Sequence, residues 1–380
     1  MVQDFSFWEY EAYHTLWDVC IIGSGINGIS AGISILERAP GIKVLIVDRW
    51  FIPLGASTRN AGFSCFGSPS EILSDISLMG EAEAIKLVDQ RWRGLQKLQT
   101  RLSNSNARYE NFGGYELFED EEFENISSRL DYLNELIESV SGLTTVFNLV
   151  NVPDGIRGFS KVVFNKYEGQ LHPVKMMEHL KQTYLSLGGK IWTGLSVEEI
   201  VEKEDYIQLC NKFAFPIEAK KVIVTTNAFV HNLIPDLDVQ GARNHVLVTQ
   251  QIEKLKWKGC FHYDKGFYYF RNIGNRILLG GARNKDFESE NTDQFGNNQI
   301  ILDALHEFLF DHLADKDIKI EYQWSGIIAV GSEKQPIIRS ISPRLFVGVR
   351  CSGMGIALAS LIGEKLADMV CNSEPESFVY

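Results

Sequence analysis

Cysteine is scarce and scattered in this chain of 380 residues: the six, at 20, 65, 210, 260, 351 and 371, form no CxxC pair and no Cys/His ligand spacing. That pattern excludes a zinc-type motif and a small disulfide framework, and leads us to expect free thiols, a reducing cytoplasmic compartment and no bound metal. Positive charge is also in short supply. The 37 Lys+Arg against 49 Asp+Glu give a formal net charge of -12, without a long run of like sign, so general affinity for nucleic acid or anionic lipid is not expected. The only long charge-free stretch is 19–36, whose 18 residues approach a membrane-spanning length. It carries four glycines with Ser24, Asn27, Ser30 and Ser34, which fits a strand turning into a helix better than a span. Residues 1–16 offer Asp4, Trp8, Glu9, Tyr10 and Glu11 where an export signal needs basic and then apolar residues.

What is present is an ordinary globular composition, 45% hydrophobic and 23% charged, enough for roughly two domains. There is no internal repeat and no Pro- or Ser-rich linker, so the domains are expected to interweave. The apolar periodicity predicts a strand at 18–22, a glycine turn, a helix over 26–38 and a strand at 43–47, one βαβ unit. Helices are predicted over 81–103, near 125–140 after the acidic tract 119–124, from Pro173 to about 187, and near 298–313. The apolar run 221–225 reads as a buried parallel strand. Between 243 and 282 the pattern becomes alternating, with strands at 245–250, 266–271 and 276–280 around a Gly274-Asn275 turn, as in an antiparallel sheet. A strand at 345–349, a glycine-rich turn and a helix over 356–370 close the chain. The expected fold class is α/β: a Rossmann-like domain of discontinuous segments (1–80, 150–237 and 324–380) plus a substrate domain with a mixed or antiparallel sheet (81–149 and 238–323).

Gly23-Ser24-Gly25-Ile26-Asn27-Gly28 fits GxGxxG directly after a strand and at a helix start, the context in which that pattern carries meaning. Gly23 permits the tight turn, Gly25 lets backbone N–H groups approach a pyrophosphate, and Gly28 lets the helix pack closely on the strand. Asp48 ends the second strand, where a carboxylate can accept hydrogen bonds from ribose hydroxyls. Two further loops separate a flavin from a nicotinamide. One is Gly55-Ala56-Ser57-Thr58-Arg59-Asn60-Ala61-Gly62, rich in hydrogen-bonding groups. The other is Ser352-Gly353-Met354-Gly355, which would aim a second helix N-terminus at a ligand, as suits the negative charge that builds on a reduced isoalloxazine. A nicotinamide dehydrogenase would leave both loops without a task.

These residues together resemble the D-amino-acid-oxidase-like family of FAD-dependent oxidoreductases, which includes glycine and sarcosine oxidases. The resemblance runs nearly end to end: DVCIIGSGINGISAG at 18–32, STRNAGF at 57–63, GQLHP at 169–173, VIVTTNAFVHNLIPDL at 222–237, YYFRNIGNRILLGGAR at 268–283, WSG at 324–326 and LFVGVRCSGMGIALASLIGEKLAD at 345–368. It implies an FAD domain and a substrate domain lying over the flavin's reactive face. Carried over by position, 23–28 with Asp48 and Arg49 hold the ADP part. Ser57, Thr58, Arg59, Asn60, Ala61, Gly62 and Phe63 lie along the pyrophosphate and flavin, and Val197 meets the adenine. Thr225, Thr226 and Asn227 support the pocket. Gly326, with Arg350, Ser352, Gly353, Met354, Gly355 and Ile356, borders the isoalloxazine.

Two departures from the family pattern bear on the substrate. Glycine-oxidase-like members place a carboxylate-binding arginine soon after WxG, where this chain reads Gly326-Ile327-Ile328-Ala329. Sarcosine-oxidase-like members use a lysine before the GG turn and a cysteine bonded to the flavin. Here the strand has Leu278, and no cysteine lies between Trp324 and Arg350, so FAD is expected to be noncovalent. Arg59, Arg271, Arg283 and Arg350 are the cations nearest in sequence to the flavin loops and the candidates to replace the missing clamp. Tyr269, Arg271, Arg350, His245 and Trp324 are the expected catalytic or pocket residues. Tyr268 and Tyr269 point to opposite strand faces, so one belongs to the core. His172 is expected to cap or pack, and Cys65 and Cys351 to be small buried thiols.

The expectation is a flavoenzyme that oxidises the carbon–nitrogen bond of a small amine or amino acid by hydride transfer to flavin N5, with oxygen or a quinone as acceptor. Oxidation of a 2-hydroxy acid, another non-oxygen acceptor, and a flavin-binding subunit without turnover remain open alternatives.

Overall fold

The computed structural model describes residues 5–372 apart from 108, 214 and 216. Residues 1–4, including Asp4 of the acidic amino-terminal stretch, lie outside the described residues. The chain divides into two compact units: 1–58, 176–241 and 328–380 form unit 1, and 59–175 with 242–327 form unit 2. Each unit is assembled from discontinuous segments, and 59–80 and 150–175 fall in unit 2 rather than with the first segment. The physical reason is pairing that leaves no sequence signature: Phe63–Ser64 bonds to Gly169–Gln170, and Phe147–Val150 and Lys161–Asn165 join the second sheet.

Unit 1 is built on an eight-stranded sheet. Its main path runs Ile337–Ser340, Leu345–Val349, Ile217–Val224, Leu16–Ile22, Val44–Asp48 and Lys190–Thr193. The Leu16–Ile22 strand sits between two parallel partners, and Val19, Cys20, Ile21, Val44 to Val47, Val222 to Val224 and Val347 are almost wholly buried. Burial on both faces is why these strands read as unbroken apolar runs. The charge-free stretch 19–36 becomes strand, turn and the helix Ile26–Arg38, and no helix among the described residues is long and apolar enough to cross a membrane. The helix Gly355–Asn372 packs on Ile26–Arg38 so closely that a Cβ at Gly363 would lie 2.4 Å from the Ser30 carbonyl carbon.

Unit 2 carries a second eight-stranded sheet, in the order Ile320–Val330, Gln240–Thr249, Arg276–Gly281, Tyr268–Ile273, Cys260–Tyr263, Gly114–Phe118, Lys161–Asn165 and Phe147–Val150. From Gln240–Thr249 to Phe147–Val150 its pairs are antiparallel apart from the parallel pair Cys260–Tyr263 and Gly114–Phe118. The Gly274-Asn275 hairpin joins Ile273 to Arg276, with Gly274 at a φ of 57° that the two-residue turn requires. Successive side chains alternate faces, and the register assigns them. Leu247, Leu279, Phe270 and Phe261 fall on one face and form a core with Leu305 and Phe308 of the Gln299–Phe308 helix. Val246, Val248, Leu278, Gly280, Tyr269, Arg271, Cys260, His262 and Glu116 fall on the other.

The Glu81–Leu102 helix occupies its predicted region; near 125–140 the structure has Leu130–Ser141, and the acidic tract expected to precede that helix is itself helical as Asp120–Ser127.

Candidate functional site

In unit 1 the glycine turn is demanded by contacts that leave no room for a side chain. A Cβ at Gly28 would sit 2.0 Å from the Gly23 carbonyl oxygen and 2.7 Å from Thr225 Oγ1. Gly23 itself has φ 107°, a region that favours glycine. The helix that follows begins at Gly25, which has no side chain to cap it. One of its N–H groups is taken, since Ile26 N donates to Ser57 Oγ at 2.9 Å. Asp48 closes the turn from the neighbouring strand: its Oδ2 accepts from Ser24 N at 2.8 Å and Ser24 Oγ at 2.6 Å, and Oδ1 accepts from Trp50 N at 3.0 Å. Arg49 lies over the Phe229 ring at 3.9 Å.

Other expected residues of unit 1 gather at the same ends of the parallel strands. Thr225 Oγ1 donates to the Ile22 carbonyl at 3.0 Å, while the buried hydroxyls of Thr226 and Ser352 have no protein partner. Asn227, Arg350 and Ser352 hold positive φ of 52°, 62° and 50°, strained for residues with a side chain. Such strain concentrates where a ligand or a function requires it. Asn27 instead ties helix to strand, donating to the Gly348 carbonyl at 3.1 Å and to Cys351 Sγ at 3.4 Å. Cys351 is buried as expected, and burial pushes its thiol up to about 11. Thr58 Oγ1 donates to the Pro53 carbonyl at 2.8 Å. Met354 N bonds to the Cys351 carbonyl, shaping the turn before Gly355 and Ile356. Val197 begins an edge strand paired to Asn211. The turn, the uncapped helix end and the two orphaned hydroxyls fit a dinucleotide with a polar, anionic middle.

In unit 2, Tyr269, Phe63 and Trp324 pack with Ala61, Val246, Val248 and Leu278 into a small apolar cluster. Tyr269 lies over Gly280, where a Cβ would be 2.5 Å from the ring, and burial raises its phenol well above the ordinary value. Trp324 Nε1 donates to the Arg59 carbonyl at 2.8 Å, and Gly326 approaches the same residue. Asn60 Oδ1 accepts from Gly62 N at 2.8 Å, and Gly62, at φ 78°, passes under the Leu171 carbonyl. Tyr268 faces the opposite way and stacks on Phe308, with centroids 4.6 Å apart, filling the core. His172 Nδ1 accepts from Lys175 N at 3.4 Å, the capping role expected of it.

His245 is corrected. It shares its row with Gly281 and Tyr268, so strand alternation turns it to the face opposite Tyr269. There its Nε2 accepts from Asn298 N at 3.0 Å and Nδ1 lies 3.3 Å from Glu290, which Arg243 also binds at 2.8 Å. It organises a buried polar network rather than a pocket wall.

All four candidate cations are engaged within the protein. Arg59 donates to the Ser325 carbonyl at 2.8 Å and covers the Phe295 ring. Arg271, nearly buried, donates to the carbonyls of Ala61 at 2.5 Å and Leu171 at 3.1 Å. Arg283 covers the Phe287 ring at 4.9 Å. Arg350 pairs with Asp238 at 2.5 Å and donates to the Gln335 carbonyl at 3.0 Å.

Sequence reasoning missed a polar group on the Tyr269 side of the sheet: buried Glu116 and Glu168 and half-buried His262, with buried Cys65 and Cys260. Glu116 Oε2 accepts from Ser70 N at 3.0 Å and Oε1 from Ser68 Oγ at 2.8 Å, yet burial pushes its carboxyl up to about 8. Glu168 Oε1 accepts from Phe66 N at 2.9 Å, and burial pushes it up to about 7. Burial holds His262 below its ordinary value. The usable signal was alternation in Cys260-Phe261-His262, which puts the thiol and imidazole on one face.

The family described as FAD dependent oxidoreductase matches residues 18–369. The chain is 23% identical over 386 residues to a probable oxidoreductase, OrdL, of Haemophilus influenzae, covering 96% of this chain and 85% of the relative. It is 20% identical over 370 residues to gamma-glutamylputrescine oxidoreductase of Escherichia coli, covering 93% and 83%. Among solved structures, L-proline dehydrogenase from P. horikoshii superposes with a TM-score of 0.78 at 15% identity, covering 95% of each chain. Glycine oxidase from Geobacillus kaustophilus gives 0.75 at 17%, covering 95% of this chain and 96% of that one.

Proposed function

Since the chain belongs to the FAD dependent oxidoreductase family, we propose that it oxidises the carbon–nitrogen bond of a small amine, and that the amine is recognised without an arginine clamp on a carboxylate. The observation that carries this reading is that Arg59, Arg271, Arg283 and Arg350 are all engaged by protein carbonyls, carboxylates or rings, while Tyr269, Phe63 and Trp324 belong to a small apolar cluster. The names of the relatives, gamma-glutamylputrescine oxidoreductase above all, support an amine substrate.

FAD, when bound, supplies the hydride acceptor. The chain's own residues do the rest. The turn Gly23 to Gly28, the helix end at Gly25 and the hydroxyls of Thr226 and Ser352 would hold the cofactor noncovalently. Asp48 can accept a ribose hydroxyl on a lone pair that Ser24 and Trp50 leave open. Tyr269, Phe63 and Trp324 exclude water and orient the substrate carbon. A neutral amine loses a hydride from the carbon beside nitrogen and then a proton from nitrogen, and water hydrolyses the resulting imine, so no protein base is required.

Turnover of D-amino acids, N-methyl amino acids, polyamines and hydroxy acids, with oxygen or with a dye as acceptor, tests the reading. Carbonyl and amine products from a polyamine or other clamp-free amine are expected. Turnover confined to hydroxy acids or to simple α-amino acids would overturn it.

A further inference from the structure

Cys65 Sγ, a carboxylate oxygen of Glu168 and a ring nitrogen of His262 lie within 4.8 Å of one another. They come from three distant parts of unit 2: the segment after Phe63–Ser64, the turn before Gly169–Gln170, and the Cys260–Tyr263 strand. Cys260, on the same strand as His262, stands outside this trio, and its thiol donates to the Gly169 carbonyl at 3.2 Å. We propose that Cys65, Glu168 and His262 form a site for a divalent zinc-like cation, with water as the fourth ligand, which braces the wall beside Phe63 and Tyr269.

The donor set decides the cation. Thiolate, imidazole and carboxylate in four-coordinate array suit zinc, whose ligands sit about 2.0–2.3 Å from the metal and hence about 3.5 Å apart. The bound ion would draw the trio in from within 4.8 Å to that spacing. Glu168 is suitably preset: Oε1 is fixed by the N–H groups of Phe66 and Gly67, at 2.9 and 3.4 Å. Its other oxygen is held in place against Gly114, where a Cβ would be 1.9 Å away.

Charge balance points the same way. A divalent ion would take the Cys65 thiolate and the Glu168 carboxylate as its two anionic ligands, leaving no lone buried charge. It would also close two long loops, since each ligand is separated from the next by many residues. His262 meets the Phe63 ring at 5.3 Å and Phe63 meets Tyr269 at 5.7 Å, so the bound ion would stiffen that apolar cluster.

The test uses the flavin-loaded full chain produced in zinc-supplemented medium and dialysed free of loose metal, with content read by mass spectrometry. The expected result is about one zinc per chain, a chelator-induced fall in melting temperature, and thiolate-to-cobalt absorption when Co²⁺ is added to the stripped protein. Cys65→Ser should abolish that absorption and Glu168→Gln should weaken binding while preserving shape. Wild-type protein without stoichiometric metal and without thiolate-to-cobalt absorption would overturn the proposal, as would a Cys65–Cys260 disulfide in freshly purified reduced-buffer protein. The wild-type titration stands even if a variant does not fold.

Discussion

At the glycine turn the backbone is the working surface, whereas on the sheet face around Tyr269 the side chains are. At the turn, Gly28 and Gly23 matter for what they lack, because any Cβ there meets a carbonyl oxygen. On the sheet, His262, Glu116 and Tyr269 matter for what they carry, and only pairing between distant strands sets them side by side. A requirement for no side chain is written locally in sequence. A requirement for neighbours across a sheet is not.

That contrast can be broken by mutation, and the apolar side of the second sheet offers the largest effect. Phe270→Ala removes a fully buried ring stacked on Phe261, and should cost about 3–5 kcal/mol in urea unfolding. A loss well under that would mean the core around Phe308 collapses into the space. At the turn, Gly28→Ala should cost about 1–3 kcal/mol through overpacking and, more tellingly, lower the flavin-to-protein absorbance ratio of the purified chain. Full flavin content in that variant would remove the backbone from the account of cofactor binding.

The polar face answers to pH. Glu116, moved from an ordinary 4.5 to about 8 by burial, keeps a proton in the folded chain that the unfolded chain has released. Its contribution is therefore fully present below about pH 4.5 and is lost as pH rises towards 8. Glu116→Gln should flatten the fall in melting temperature across that window, and an unchanged slope would assign it to other groups. The smallest effect is expected from Trp324→Phe, which loses the hydrogen bond to the Arg59 carbonyl and should cost about 1 kcal/mol, with KM moving more than stability.

The same contrast explains what could be read beforehand. The strand, turn and helix over 18–38 and the closing helix were legible because apolar runs, glycine spacing and helical periodicity are local signals. Alternation also told correctly that Tyr268 and Tyr269 part company. It could not place His245, because the face of Gln240–Thr249 is fixed by its register with Arg276–Gly281 and not by its own residues. The helix predicted near 125–140 emerged as Leu130–Ser141, with Arg129 before it at φ -111° and ψ 1°. The cluster of Cys65, Glu168 and His262 was invisible for the same reason that scattered cysteines argued against a metal: its members are neighbours only after folding.

The central claim is that this family member takes electrons from a clamp-free amine, and anaerobic reduction of the bound flavin tests it most directly. The account predicts that the visible flavin band bleaches on adding a polyamine or related amine and stays unchanged with a 2-hydroxy acid. A flavin bleached by hydroxy acids while every amine leaves it oxidised would contradict the account.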